Sequence, residues 1–597
     1  MTDLLPTKFQ ELPKDSKFWD QIDSLGYKNG QFFFPGMDPK KTPLTFESLQ
    51  KRYHLRTKWT IVNISGSGIS NEDKEDIHTP CHKKVILNII DTTLSDNCLL
   101  QKKGHIKSVP ILDVIGVMKG SYVPTGMDAC LPSRELEKSK TTSKISDPNN
   151  QGYVDCITGY ILSDLVSKNK CPGFAECYGH FTSLAPKLKV DITDDFYSIR
   201  NLAWFHRGLG SRFVIEAIEF DDDLCNPQSG KRSRKITIGD EVFGFTEEMK
   251  DIAEAPEIIE QEWENEKIQD LECSEIQEIK VLPGLEHFDI LDSESISGLE
   301  KINISDSESV SDLEEETDDE IEEESDDEED YDDGDVTGKF FAIIPDIPIQ
   351  SSIYQDLCGP IDNLLGDPEV DENQWKSILF QICFNLSVAQ KENNFIHNDL
   401  HTNNVMWEPT DHKYIWFKVD EVYYRVPTYG KIIKIIDFGR AYIYYEGREY
   451  MSDAFDFSND AGGQYNYPPY YRSDQPDIPP NPSFDLPRLA CSIVEGMCDS
   501  RDEPETEVLK LLYSWLTDNR GKNILWNKNG EDRFGGFGLY KHISRYCKDS
   551  IPHDQLTKPV FEEYIQEDKP GEKELYYEFT KPLDTSYMIL KKKELQS

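Results

Sequence analysis

The sequence predicts an α+β fold with room for two lobes, broken by a long acidic insertion. Three observations predict it. First, 597 residues exceed what one compact core encloses and suffice for two lobes plus insertions. Second, residues 371–391 place Trp375, Ile378, Leu379, Ile382, Cys383, Leu386 and Ala389 at three- and four-residue steps, the stripe of an amphipathic helix. Strands follow: Tyr414 to Val426 alternates about a turn at Asp420-Glu421, as a β-hairpin does, and Ile432 to Ile436 is an apolar run ending at Asp437. Third, Asp312 to Asp335 holds 18 acidic residues in 24 and no basic one, so it repels itself, buries no apolar surface and is expected to be disordered.

Composition excludes several classes. Acidic residues outnumber basic ones 111 to 64, for a net charge of −47, and −29 without the acidic run. Such a chain has no broad face to neutralise phosphates, so nucleic acid is not an expected partner. Anionic membranes are disfavoured for the same reason. No apolar run approaches ~20 residues, so no transmembrane helix is expected. The start, MTDLLPTKFQELPKD, lacks a basic-then-apolar signal pattern. The 13 cysteines include no C-x-x-C pair, and Cys171 and Cys177 are wrongly spaced for a zinc knuckle, so reduced thiols in an intracellular, reducing compartment are expected.

Around the acidic run, 185–337 reads as one large insertion. Phe213-Val-Ile-Glu-Ala-Ile-Glu-Phe220 suits a strand, and 246–270 carries Glu at helical spacing. Ser305-Asp-Ser-Glu-Ser-Val-Ser311 alternates serine with acids, as substrates of acid-directed kinases do. The run itself is either a solvated linker or a docking tract for basic proteins.

Two motifs carry chemistry. His397-Asn-Asp-Leu-His-Thr-Asn-Asn404 follows the helix, and Asp437-Phe-Gly439 closes the apolar strand. Together they read H-x-D-x-x-x-x-N, then D-F-G, and here the sequence resembles the protein-kinase superfamily. Phosphoryl transfer needs a metal, a γ-phosphate and an acceptor hydroxyl held in line while charge is neutralised. By the resemblance, Asp399 accepts or orients the hydroxyl proton, and Asn404 and Asp437 offer oxygen ligands that suit Mg²⁺. His397 braces the loop. Three departures stand out. Asn398 replaces the Arg that gathers a phosphorylated activation loop, which implies activity without that switch. His401 replaces a Lys, and a His donates to the γ-phosphate more strongly when protonated. The D-L-H sequence also occurs in haspin-like kinases and in small-molecule kinases of the aminoglycoside and choline type. Finally, the hairpin at 414–426 lengthens the spacing from Asp399 to Asp437.

The amino-terminal part carries weaker signals. No G-x-G-x-x-G precedes a V-A-I-K, and Gly66-Ser-Gly68 is a poor fragment of one. Lys107, in Gly104-His-Ile-Lys-Ser-Val-Pro-Ile-Leu112, is the favoured phosphate-binding lysine, with an exposed strand lysine as the rival reading. Lys83, Lys84, Lys102 and Lys103 are the fallback choices. The segment Asn150 to Leu165 reads as a helix, and Cys171-Pro-Gly-Phe-Ala-Glu-Cys-Tyr-Gly-His-Phe181 as a strand. Both resemble blocks in predicted kinases of large nucleocytoplasmic DNA viruses, the mimivirus and iridovirus kind. The resemblance makes that helix the C-helix, with Asp155 pairing Lys107; an acid near a helix start also serves the dipole. It also makes Ile353-Tyr-Gln-Asp-Leu357 the hinge, with backbone at Gln355 and Leu357 meeting adenine. Ser483-Phe-Asp-Leu-Pro-Arg-Leu-Ala490 resembles the buried-Asp helix, so Asp485 holds the catalytic loop, unless it is a plain N-cap. Phe534 to Ile543 also looks family-like, whereas no A-P-E is visible.

The resulting layout is an extension at 1–50, N-lobe at 51–184, insertion at 185–337 (largely disordered at 300–337), last N-lobe strand and hinge at 338–357, C-lobe at 358–550 and tail at 551–597. The resemblance implies a two-lobed protein-kinase-like fold, with a small β-rich N-lobe and a larger α-helical C-lobe, and a viral kinase using ATP and Mg²⁺ on Ser or Thr of protein substrates, in host cytoplasm or virion. A small-molecule kinase and a pseudokinase scaffold with an acidic binding tract are the alternatives. Retention of Asp399, Asn404 and Asp437 weighs against the scaffold.

Overall fold

The computed structural model describes residues 9–11, 17–35, 53–55, 57–66, 79–94, 98–122, 131–132, 139–219, 234–238, 338–497, 504–527 and 532–581. The acidic run 312–335, the stretch 305–311 and the Glu-rich 246–270 lie outside the described residues, as does Ser67-Gly68.

The chain is mixed α and β. Helix α1 (Phe18–Ser24) precedes strands β1 (Trp59–Gly66), β2 (His82–Asp91) and β3 (Leu99–Pro110). Helix α2 (Gln151–Ser167) leads into β4 (Cys177–Asp191), then β5 (Val214–Glu219) and the 18-residue β6 (Gly338–Gln355). These strands belong to one curled sheet, a half-barrel. β1 pairs β2, β2 pairs β3 and β3 pairs the end of β6, all antiparallel. β5 pairs the beginning of β6 along the same edge, and β4 covers the other edge. β4 therefore runs straight through position 185, and β5 joins the same sheet.

Period-two patterning builds these strands. Val85, Leu87 and Ile89 of β2 are buried alternately, as are Gly104, Ile106 and Ser108 of β3. Gly104 is required by packing, since a Cβ there would stand 2.6 Å from Leu87 Cδ1. Lys107 lies opposite Ile106 in phase and in register with Ser352 of β6 and His82 of β2.

Helix α2 is buried on nearly every side, which explains its weak amphipathic pattern. Asn150 caps it, accepting from the Gly152 amide at 3.0 Å. Helix α3 (Glu372–Asn393) is capped by Asp371, which accepts from Gln374 N at 2.9 Å, and ends at Asn394 in the left-handed region (φ +50°).

The loop after α3 leads to β7 (Val405–Pro409), the hairpin β8 (Tyr414–Val419) and β9 (Val422–Pro427), and β10 (Lys431–Ile435), which returns to pair β7. A second hairpin, β11 (Tyr442–Tyr445) and β12 (Arg448–Met451), follows. Helices α4 (Asp485–Met497), α5 (Glu507–Trp515) and α6 (Gly538–Tyr546) come next, and β13 (Leu575–Phe579) lies parallel against β8. A continuous buried cluster runs from the sheet through α2 to α3 and α4. The nine described cysteines are free thiols. Among the described residues no helix is long and apolar enough to cross a membrane.

Candidate active site

The loop from His397 to Asn404 is held from behind. Asp485, fully buried at the start of α4, accepts from the amides of His397 (3.0 Å) and Asn398 (2.9 Å). Burial pushes its carboxyl up, while His397 and these two amides oppose that. Asp485 thus stands at a helix start and also grips the loop. His397 Nε2 lies 2.8 Å from the Ile436 carbonyl, so this nitrogen carries the proton. Its Nδ1 is then the acceptor for the Asp399 amide at 3.3 Å. The ring ties the loop to the strand end that carries Asp437.

Asn398 adopts φ +65°, a conformation Asn tolerates better than most residues. Its amide donates to the Arg440 carbonyl (3.0 Å), and its oxygen accepts from Tyr465 (2.6 Å). Its side chain is therefore spent on internal bonds.

Asn404 donates both its N–H groups within the loop, to the Asp399 carbonyl at 2.9 Å and to His401 Nε2 at 3.0 Å. His401 Nε2 is thus an acceptor. Burial lowers the His401 pKa, Asp399 raises it and Arg488 lowers it again, with a net fall. The neutral ring keeps its proton on Nδ1.

Lys107 joins the sheet, α2 and the D-F-G segment. Its Nζ donates to Asp155 Oδ1 at 2.6 Å and to Asp437 Oδ1 at 2.9 Å. Asp155 Oδ1 also accepts from the Phe438 amide at 2.8 Å. Asp155 is the fifth residue of α2, and the first turn holds no acid, so dipole compensation is not its main interaction. Burial pushes its carboxyl up, opposed by Lys107 and reinforced by Asp437. Burial also works against charge on Asp437. There the charge and hydrogen bond of Lys107, aided by His397 and the Gly439 amide, win and hold the carboxyl well below the usual range. Lys107 itself is raised: burial lowers it, but two carboxylates more than compensate. The fallback lysines lie elsewhere. Lys83 donates to the Leu25 carbonyl, Lys84 pairs Asp356 and Lys102 pairs Glu176.

Gln355 closes β6, its amide bonded to the Glu176 carbonyl at 2.9 Å and its side chain donating to Glu408. Leu357 packs beside Ala175, Cys177 and Tyr354. Among the described residues its amide has no hydrogen-bond acceptor.

Four residues of the site escaped sequence reasoning. Tyr540 of α6 donates to Asp399 Oδ1 at 2.7 Å, with Arg440 3.8 Å from the same oxygen. Arg488 Nε donates to Tyr540 Oη at 2.8 Å. Asp453, 4% exposed, accepts from Lys144 Nζ (2.5 Å) and from the Gln151 amide at the start of α2 (2.9 Å). Arg488 and Tyr540 sit inside the family-like segments 483–490 and 534–543, but no spacing rule links them to Asp399. Asp453 has no sequence signal.

The donor set fits Mg²⁺. Asn404 has committed both N–H groups, which leaves Oδ1 as its open acceptor, and Asp437 Oδ2 carries no hydrogen bond among the described residues. Neutral and anionic oxygens of this kind suit a hard cation.

A lysine bridging a helix carboxylate and a strand-end carboxylate, beside a loop carrying an Asp and an Asn, is a kinase-like arrangement. One sequence comparison points the same way at a coarse level. A stretch of 73 residues is 44% identical to a probable serine/threonine-protein kinase of Dictyostelium discoideum, over 11% of this chain and 6% of that protein's length. The chain also resembles the structure of vaccinia related kinase 3, with 10% identity and a TM-score of 0.20 over 35% of this chain and 60% of that one. No protein-family model matches the chain. The short sequence match supports a kinase-like relationship; the structural likeness is too low to add to it.

Proposed function

We propose that the chain is a two-lobed, ATP-dependent protein kinase that transfers the γ-phosphate to Ser or Thr hydroxyls. The observation that carries this reading is Lys107 seated between Asp155 and Asp437, on one side of a loop that presents Asp399 and Asn404. In this reading β1 to β6 form the small lobe, 358–550 the larger one, and the stretch before Gly338 an insertion. Leu357 offers its amide to the adenine edge, and the Gln355 carbonyl flanks it.

The chain's own residues then divide the work. Lys107, anchored by Asp155, holds phosphate oxygens. Asp437 and Asn404 hold Mg²⁺, which when bound supplies charge neutralisation across the phosphates. Asp399 accepts the proton of the attacking hydroxyl. Neutral His401 donates from Nδ1 toward the transferred group. His397 and Asp485 keep the loop's backbone in place. The resemblance to kinases of large DNA viruses, an intracellular setting and the attraction of basic protein substrates by the acidic run are parts of the same proposal.

The test is transfer from labelled ATP with Mg²⁺ to a basic protein and to the chain itself, parent against Asp399→Asn. Loss of a positioned proton acceptor is expected to cost ~10²–10⁴ in rate. Label on Ser or Thr that vanishes in the variant supports the reading. ATP binding without any label would favour a small-molecule acceptor. Neither binding nor label would leave a scaffold.

A further inference from the structure

Helix α6 brings a hydroxyl to Asp399 that no motif announces. Tyr540 Oη donates to Asp399 Oδ1 at 2.7 Å, and Arg488 Nε donates to Tyr540 Oη at 2.8 Å. The Tyr540 ring stacks on Phe537 (centroids 4.9 Å apart, planes 16° from parallel) and packs against Phe484 at 5.9 Å. The guanidinium groups of Arg488 and Arg440 lie 5.2 and 5.7 Å from its centroid. The helix is pinned as well. Ile543 and Ser544 are buried, Ser544 Oγ bonds the Gln464 carbonyl at 3.0 Å, and Asn481 Nδ2 bonds the carbonyls of Ile543 and Cys547 at 3.1 and 2.8 Å. A hydroxyl held this firmly is part of the wall, not a guest that an incoming substrate displaces.

Resting on the kinase reading above, we propose that Tyr540 is a positioning residue: backed by Arg488, it fixes Oδ1 of Asp399 and leaves Oδ2 facing the acceptor hydroxyl. Among the described residues Asp399 Oδ2 carries no hydrogen bond. A donor to one carboxylate oxygen locks the rotamer, which a positioned proton acceptor needs. Burial and the neighbouring Asp399 charge raise the Tyr540 pKa, so the phenol stays a donor through neutral pH. The groups that bear on Asp399 are Tyr540 from α6, Arg488 and Asp485 from α4, Arg440 after the D-F-G segment, and His397 and His401 from its own loop. Of these, Tyr540 makes the direct side-chain hydrogen bond to the carboxylate.

The experiment is Tyr540→Phe in the full chain, which keeps the ring and its packing. The expected result is a kcat about tenfold lower, the size of losing a hydrogen bond to a charged group, with KM for ATP unchanged. Arg488→Gln should act in the same direction and add little to Tyr540→Phe, since both work through one hydroxyl. A parental kcat overturns the proposal. A faster Tyr540→Phe enzyme overturns it too, by making Tyr540 a plug. Asp399→Asn, run alongside, separates the two ideas: if that variant keeps the parent rate, the kinase reading itself is lost.

Discussion

Lys107 shows how one residue carries several loads. Its side chain is 14% exposed, and its ammonium is shared by two carboxylates on segments far apart in sequence. Removing the charge leaves Asp155 buried against Asp437 with, among the described residues, only the Phe438 amide as its hydrogen-bond donor. Lys107→Met is therefore expected to abolish transfer and to lower unfolding free energy by about 3 kcal/mol, the scale for orphaning a buried charge. Urea unfolding beside the transfer assay checks both; a fully stable, fully active variant would remove Lys107 from the site. At this scale the sequence was unevenly readable. Asp399, Asn404 and Asp437 stood in motifs whose internal spacing is local. Tyr540 lies 141 positions from Asp399, and nothing short of the fold joins them.

At the scale of elements, α2 matters because it delivers Asp155, and its own placement depends on Asp453. That carboxylate satisfies the Gln151 amide, one of the orphan donors of a helix start, and pairs Lys144; its own amide bonds the Asn149 carbonyl at 2.8 Å. The segment after D-F-G thus fastens the helix with a permanent carboxylate, where a phosphorylated loop needs an added charge. This suits the Asn398 found in place of Arg. Asp453→Ala is expected to cost about 2 kcal/mol and to speed amide exchange in 151–155, leaving the β8–β9 hairpin unchanged. Equal protection in both variants would show that the clamp is idle. Helix α3 and the 414–426 hairpin were legible because their patterns are local. The clamp was not, because a lone Asp in a polar stretch has no periodicity.

For the whole molecule, stability carries a pH signature from the sheet. His105 and His82 face each other on β3 and β2, ring nitrogens 2.9 Å apart. Burial, with the charge of His82 acting the same way, lowers the His105 pKa to about 4, and burial with Lys107 lowers His82. The unfolded chain takes up protons near pH 6.5 that the folded one refuses until about pH 4. The contribution of these histidines to stability is therefore expected to fall as pH drops from about 6.5 to about 4 and to level off below. Urea titrations across that range measure it, and His105→Asn should flatten the slope. A slope unaltered by the substitution would place the effect elsewhere. The sheet's connectivity was the least legible feature. Alternation marks each strand, but β6 finds β3, β4 and β5 across long intervals, and partner choice rests on tertiary contacts rather than on local pattern.

The parallel strand β13 ties the hairpin to a late part of the chain. Leu575 to Phe579 lie along Ile415 to Val419, and the Asp420 amide bonds the Phe579 carbonyl at 2.8 Å. A ribosome makes β8 and β9 long before β13, so this edge leaves the tunnel with its hydrogen-bonding groups open. Until translation reaches Phe579 it is a template for a second nascent copy. Polysomes crowd such copies together, so the interval between these two stretches of message is when the protein is most exposed to pairing with its own kind.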